Sequence, residues 1–332
     1  GGGHINYPWL IPLSQFWMHE TLGEYNDLTT NFIFFFYFIF IIILLYYFIR
    51  KYASRFIPHL PQTPRSSTSE IMGSKEIIPA GPDAPLEGAG FIGLLFAFMF
   101  STMPLIFYHA YNVYADLPLG YYGLIAFALL FSWTKDKERK DLILSAIFFG
   151  IALWVKTEAL FFISSSALVL GYYLFYSKFI ESRLKIFINF LLSILIIISP
   201  ILFFNFKYSL GMSNIDLETG FHSEVFKSLF ESLFMGSNWN IWWIIVVVIF
   251  VLNIKMIIKK KELLVGWLFL FIVLGEFLAV YLFTNDYQYA VNHTAISRNI
   301  IPLLPIAIFL VSVIYFNASN VKELRDRTGE ED

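Results

Sequence analysis

The chain has 332 residues, of which 58% are hydrophobic, 20% aromatic and only 14% charged; its formal net charge is −2 and it has no Cys. A soluble domain of this size carries nearer one quarter charged residues. The composition therefore argues against a soluble enzyme, the charge against a nucleic-acid binder and the lack of Cys against a disulfide scaffold.

What remains is an all-α polytopic membrane protein. Apolar runs of 18 or more residues recur, each long enough for a hydrocarbon layer roughly 30 Å thick. A membrane β-barrel needs alternating strands, and runs such as Phe38 to Leu45 do not alternate. The chain opens Gly1-Gly2-Gly3-His4 with no initiator Met and no signal peptide, which reads as a fragment whose natural N-terminus lies upstream. Residues 1–30, rich in Trp and Tyr with Pro8 and Pro12, read as the end of an outer loop with an interfacial helix.

A transmembrane helix falls in 31–56, and further ones in 91–206 and 240–316. Nine crossings are expected, at 31–49, 91–111, 118–133, 142–156, 159–177, 186–206, 240–257, 263–283 and 299–316. Between them lie a Pro- and Ser-rich cytoplasmic loop at 57–90, which cannot bury a core, and an extracytoplasmic loop at 207–239 carrying a short helix. The charged stretch 317–332 ends the chain as a cytoplasmic tail. All but four of the 23 Lys and Arg residues fall on one side of this topology; the exceptions are Lys156, Lys207, Lys227 and Arg298. The positive-inside rule makes the crowded side cytoplasmic and starts the chain outside.

Two crossings look short. At 1.5 Å per residue, 118–133 spans about 24 Å and 142–156 about 22 Å, against roughly 30 Å of hydrocarbon. Their outer ends carry Asp116 and Lys156-Thr157-Glu158. Charges held at that depth ask for a wet cavity or for one another. The plainer alternative is that Asp116 and Thr157 cap helices while Lys156 snorkels. Arg298 reads either as an interfacial anchor or as an anion clamp, whose anion a helix start would also favour. Glu276, inside 263–283, reads first as a buried acid hydrogen-bonded to a neighbouring helix. His109, His222 and His293 stand isolated, and no His/Asp/Glu group has metal-ligand spacing. No Gly-rich phosphate loop and no nucleophile elbow appear.

Four stretches, in order, carry a likeness. They are Tyr7-Pro8-Trp9-Leu10-Ile11-Pro12-Leu13 followed by Leu22-Gly23; Ser101-Thr102-Met103-Pro104 leading to Tyr114-Ala115-Asp116-Leu117-Pro118-Leu119; Leu153-Trp154-Val155-Lys156-Thr157-Glu158-Ala159-Leu160; and Ser297-Arg298-Asn299-Ile300-Ile301-Pro302-Leu303-Leu304-Pro305. Together they resemble the GT-C membrane glycosyltransferases, especially the dolichyl-phosphate-mannose–protein mannosyltransferase and aminoarabinose-transferase relatives. The resemblance implies a GT-C-like fold in the cell (plasma or inner) membrane with its active site on the extracytoplasmic face. It implies an enzyme that moves a sugar from a polyprenyl-phosphate carrier to a lipid, glycan or protein acceptor.

The family's principal catalytic Asp sits in the first outer loop, and the resemblance places it upstream of Gly1. Asp116 then matches the secondary acidic position, which in relatives helps to bind the acceptor or, in some members, a divalent metal. Lys156 and Arg298 match positions expected near the carrier phosphate, with Glu158 beside them on the substrate. Relatives of the aminoarabinose branch carry a Lys before the first Pro, where this chain has Tyr7; His4 is the alternative contact there. Two other functions compete: a lipid-linked sugar transporter or flippase, which predicts inverted repeats and broken helices, and an O-antigen-type polymerase or ligase, which wants a larger outer loop.

Overall fold

The computed structural model describes residues 8–24, 26–53, 84–176, 182–208, 220–293 and 295–328. Among these it is helical, with no strand. The helices are α1 (Leu10–Leu22), α2 (Asp27–Ala53), α3 (Ala84–Ser101), α4 (Pro104–Ala110), α5 (Asp116–Asp136), α6 (Arg139–Val155), α7 (Ala159–Tyr176), α8 (Arg183–Lys207), α9 (Glu224–Phe230), α10 (Trp242–Leu252), α11 (Ile254–Lys259), α12 (Lys261–Phe283), α13 (Tyr287–Val291), α14 (Ile296–Ile300) and α15 (Leu304–Thr328). A π-helical turn, Glu231–Met235, extends α9, and a 3-10 turn, Ile301–Leu303, joins α14 to α15.

Six segments are long and apolar enough to cross a membrane: Thr29–Ala53, Asp116–Asp136, Ala159–Tyr176, Arg183–Lys207, Lys261–Phe283 and Ile296–Ser319. A seventh is counted if α3 and α4 form one broken span, bent by 76°. The chain thus has the character of a multi-pass membrane protein. The expected nine crossings are not all reached. The 142–156 stretch forms α6, which has 17 residues, and the 240–257 stretch forms α10, which stops after 11 at Asn253.

The break between α3 and α4 has a local cause. Pro104 stands at the start of α4, where it has no N–H to give and drives Met103 into extended geometry (φ −75°, ψ 124°). The Ser101 and Thr102 hydroxyls donate to the carbonyls of Phe98 (2.8 Å) and Met99 (3.1 Å), satisfying groups near the break.

The expectation of a short helix at 118–133 is corrected. The helix runs from Asp116 to Asp136, 21 residues, or about 32 Å at the standard rise. Hydropathy ends at the last apolar residue, whereas the backbone ladder continues through Thr134-Lys135-Asp136 until Lys137 caps it in the left-handed region (φ 61°). Depth in the bilayer therefore does not explain Asp116; protein burial does. The apolar window of α5 is 89% buried, that of α8 only 11%. So α5 is the central helix, and α8 presents a largely apolar outer face suited to lipid.

Two glycines bring α5 close to its neighbours. A Cβ at Gly120 would meet the Pro302 Cα at 3.2 Å, and one at Gly123 would meet the Phe162 ring at 2.9 Å. The first approach sets the N-terminal turn of α5 against the 3-10 turn after α14. The second sets α5 against α7.

At the start of the described chain, α1 exposes Leu13, Phe16, Trp17 and Leu22, and Trp9 packs edge-on against Phe204 of α8 with ring centroids 4.0 Å apart. His4 and Tyr7 lie outside the described residues, as do most of the 57–90 loop, residues 209–219 of the outer loop and the last residues of the tail. Within the 57–90 stretch, residues from Ala84 onward are already helical. The short helix expected in the 207–239 loop corresponds to α9 with its π-helical extension.

Candidate functional site

Asp116, Lys156, Glu158 and Arg298, spread over 182 positions of sequence, meet in one cluster. Asp116 is the first residue of α5 and is fully buried. Its Oδ1 accepts from Lys156 Nζ at 2.8 Å, and its Oδ2 accepts from Arg298 Nε at 3.2 Å. Lys156 stands where α6 has ended: its backbone is extended (φ −157°, ψ 141°), and α7 begins three residues later. This tight turn between α6 and α7 aims Lys156 and Glu158 at the same point. Lys156 Nζ lies 2.8 Å from Glu158 Oε1 and donates to Asn299 Oδ1 at 3.1 Å.

Counting donors assigns the cations different states. An ammonium has three protons, and Lys156 spends them on Asp116, Glu158 and Asn299. A guanidinium has five. Arg298 spends its Nε proton on Asp116, and its terminal nitrogens meet no acceptor among the described residues. The Arg298 side chain is 33% exposed, that of Lys156 7%. Arg298 also lies over the ring of Tyr114, its Cζ 4.1 Å from the centroid. Among the described residues of the cluster, Arg298 is thus the more accessible cation, while Lys156 is enclosed and fully paired.

Arg298 is the third residue of the continuous apolar segment Ile296–Ser319, in its short leading helix α14, so it stands at the start of the last crossing as expected.

Four residues of the cluster, His109, Tyr114, Asn299 and Tyr281, went unremarked as site groups in the sequence. His109, on α4, is 1% exposed; its Nδ1 lies 3.6 Å from Asp116 Oδ2 and has no hydrogen-bond partner among the described residues. Its ring packs on Tyr114 at 4.8 Å between centroids. The Pro104 break folds α4 back onto the start of α5, and no spacing rule foretells that. Asn299 donates from Nδ2 to the Tyr281 hydroxyl of α12 at 2.6 Å. Asn299 and Tyr114 stand inside the stretches quoted above, next to the charged residues; Tyr281 lies in an apolar run and gives no signal.

Beside the cluster is an apolar cavity of about 270 Å³. Leu229 and Leu233, from α9 and its π-helical extension, form one wall; Phe271, Leu274 and Leu278 of α12 form another. Asn299 and Tyr281 also line it. The same two side chains are hydrogen-bonded to each other, and Asn299 accepts from Lys156. The cavity and the charges therefore share a border. The Ser232 and Ser297 hydroxyls, 2.5 Å apart and buried, tie the π-helical turn to α14 at this point.

Glu276 is placed elsewhere. Its carboxyl bridges to α7 through the hydroxyls of Ser164 (2.7 Å) and Ser165 (3.0 Å) and has no partner in the charged cluster. No group of three or more His, Cys, Asp or Glu side chains that could hold a metal occurs among the described residues.

Against protein-family models, curated proteins and solved structures, the chain finds no match.

Proposed function

We propose that the chain is a membrane glycosyltransferase. It takes a sugar from a polyprenyl-phosphate carrier and passes it to a lipid, glycan or protein acceptor at the outer face of the cell membrane. One observation carries the reading: a cavity lined almost wholly by apolar side chains borders, at Asn299 and Tyr281, on a cluster whose guanidinium keeps donors that meet no acceptor among the described residues. The complement of that surface is an amphiphile with an anionic head and an apolar chain. A phosphate suits the planar fork of Arg298, and a prenyl chain suits the cavity. The resemblance of four sequence stretches adds the sugar, and the skew of Lys and Arg residues adds the outer face.

The chemistry follows from the charges. Displacing a polyprenyl phosphate builds negative charge on the leaving oxygen, and a fixed guanidinium stabilises it without reorganisation. A carboxylate nearby deprotonates or orients the acceptor hydroxyl.

The test is transfer by the full-length protein that contains this chain, in lipid nanodiscs, from undecaprenyl-phosphate-linked pentoses and hexoses to an alkyl glycoside. Transfer is expected from at least one donor, with Arg298→Met lowering it by about 10²–10³-fold, the usual cost of removing one charge-stabilising donor. Transfer unchanged in Arg298→Met would refute the phosphate role. A second reading, a flippase for a lipid-linked sugar, is favoured by the 76° break between α3 and α4. It predicts movement of the lipid-linked sugar across the bilayer with no glycosylated product.

A further inference from the structure

We infer that the site takes a prenyl or alkyl phosphate sideways from the bilayer and holds only about the first ten carbons of its chain, roughly two isoprene units, so that carrier length beyond them goes unread. The inference rests on the transfer reading above and adds the lipid specificity of the same site. Volume sets the limit. An apolar cavity of about 150 Å³ takes one benzene ring, or about 25 Å³ per carbon. The cavity beside the cluster has about 270 Å³. On the benzene scale that is room for about ten carbons. An undecaprenyl chain is several times larger, so most of it must leave the cavity.

The walls give the way out. Along α12 the lining runs from Tyr281, at the charged border, through Leu278 and Leu274 to Phe271, about 15 Å at the standard rise. At the far end Phe271 is 43% exposed. Gly275, one turn along the same face, is exposed as well, and a Cβ there meets nothing within 4 Å. Both lie in Lys261–Phe283, which is apolar and long enough to cross a membrane, so this opening faces lipid rather than water. The opposite wall, α9 with its π-helical turn, exposes Phe226, Phe230 and Met235 alongside Lys227 and the charged Glu224. Such a mixed surface suits the interfacial layer of a bilayer. A headgroup fixed at Arg298 thus sends its chain past Asn299 and Tyr281, between the α9 arm and α12, and out at Gly275 and Phe271. Carbons beyond that opening touch lipid in the bound and the free states alike. They add nothing to binding at a fixed concentration in the bilayer.

Two measurements on the full-length protein that contains this chain, in phosphatidylcholine nanodiscs, test this. Eicosyl phosphate with a diazirine on its eighth carbon is expected, on irradiation, to label the cavity residues Leu229, Leu233 and Leu274, read by mass spectrometry. The same lipid with the diazirine on its eighteenth carbon is expected to spare them and label lipid. In Arg298→Met the difference between the two probes is expected to vanish, because nothing then fixes the head. At equal mole fraction in the bilayer, decyl and eicosyl phosphate are expected to bind the wild type within about fourfold of one another, the worth of one methylene. Cavity label from the eighteenth carbon, or a larger gain with length, overturns the inference, since more of the chain is then held. Binding with no cavity label from either probe overturns it together with the assignment of the cavity to the chain. The expected labelling in a protein that transfers from no polyprenyl-phosphate sugar overturns the transfer reading and leaves the lipid site standing.

Discussion

Lys156→Met is expected to destabilise the fold by about 3–5 kcal/mol, the cost of removing one partner from a buried ion pair. The ammonium is 7% exposed and is the one group that touches Asp116, Glu158 and Asn299 together. Without it, Asp116 Oδ1 is a buried carboxylate oxygen with no donor. Glu158 loses the contact that holds the turn between α6 and α7 to the start of α5. Unfolding of the detergent-solubilised chain, followed by loss of helical circular dichroism, measures the effect. Lys156→Met combined with Asp116→Asn is expected to cost less than the sum of the two single changes, because the stranded charge is gone. Wild-type stability in Lys156→Met would mean that Asp116 is not held by this pair.

Gly275→Phe is expected to weaken decyl phosphate binding by about 100-fold while leaving inorganic phosphate binding and the unfolding transition unchanged. Gly275 lines the apolar cavity, and a Cβ built on it meets nothing within 4 Å. The Cβ itself thus displaces nothing, and the ring beyond it is expected to take up cavity volume. Each methylene of a ligand kept out of an apolar site forfeits about 0.8 kcal/mol, so three or four excluded groups give about two powers of ten in affinity. The charged cluster is untouched, which is why the inorganic ion serves as the control. Equal binding of decyl phosphate to both proteins would show that the chain of the amphiphile lies elsewhere.

The sequence carried the helical class and the long apolar segments, because a bilayer-spanning helix writes its length directly into composition. It also carried the need of Asp116 and Lys156 for a charged partner, which each finds in the other. Charges beside apolar runs are costly when alone, so each implied partners. Helix ends were less legible. Apolar runs underestimated α5, whose polar last turn keeps its backbone bonds, and overestimated the stretch at 240–257, where the helix stops at Asn253. His109 was invisible as a site residue because only the fold-back at Pro104 brings it to Asp116. The cavity was illegible for a similar reason: its walls come from three separate segments, each of which reads as ordinary apolar packing. Donor accounting, which separates Arg298 from Lys156, requires coordinates, since both are single cations in sequence.

The two carboxylates and two cations of the cluster, Asp116, Glu158, Lys156 and Arg298, sum to zero formal charge. A neutral resting site casts little field into the surrounding water, so it does not draw anions from a distance. On the proposed reading, capture of the carrier then depends on short-range fit, after its own tail has concentrated it in the bilayer. Such a site discriminates against the abundant small anions of the aqueous phase, which lack the tail, and changes in ionic strength scarcely alter the rate of encounter.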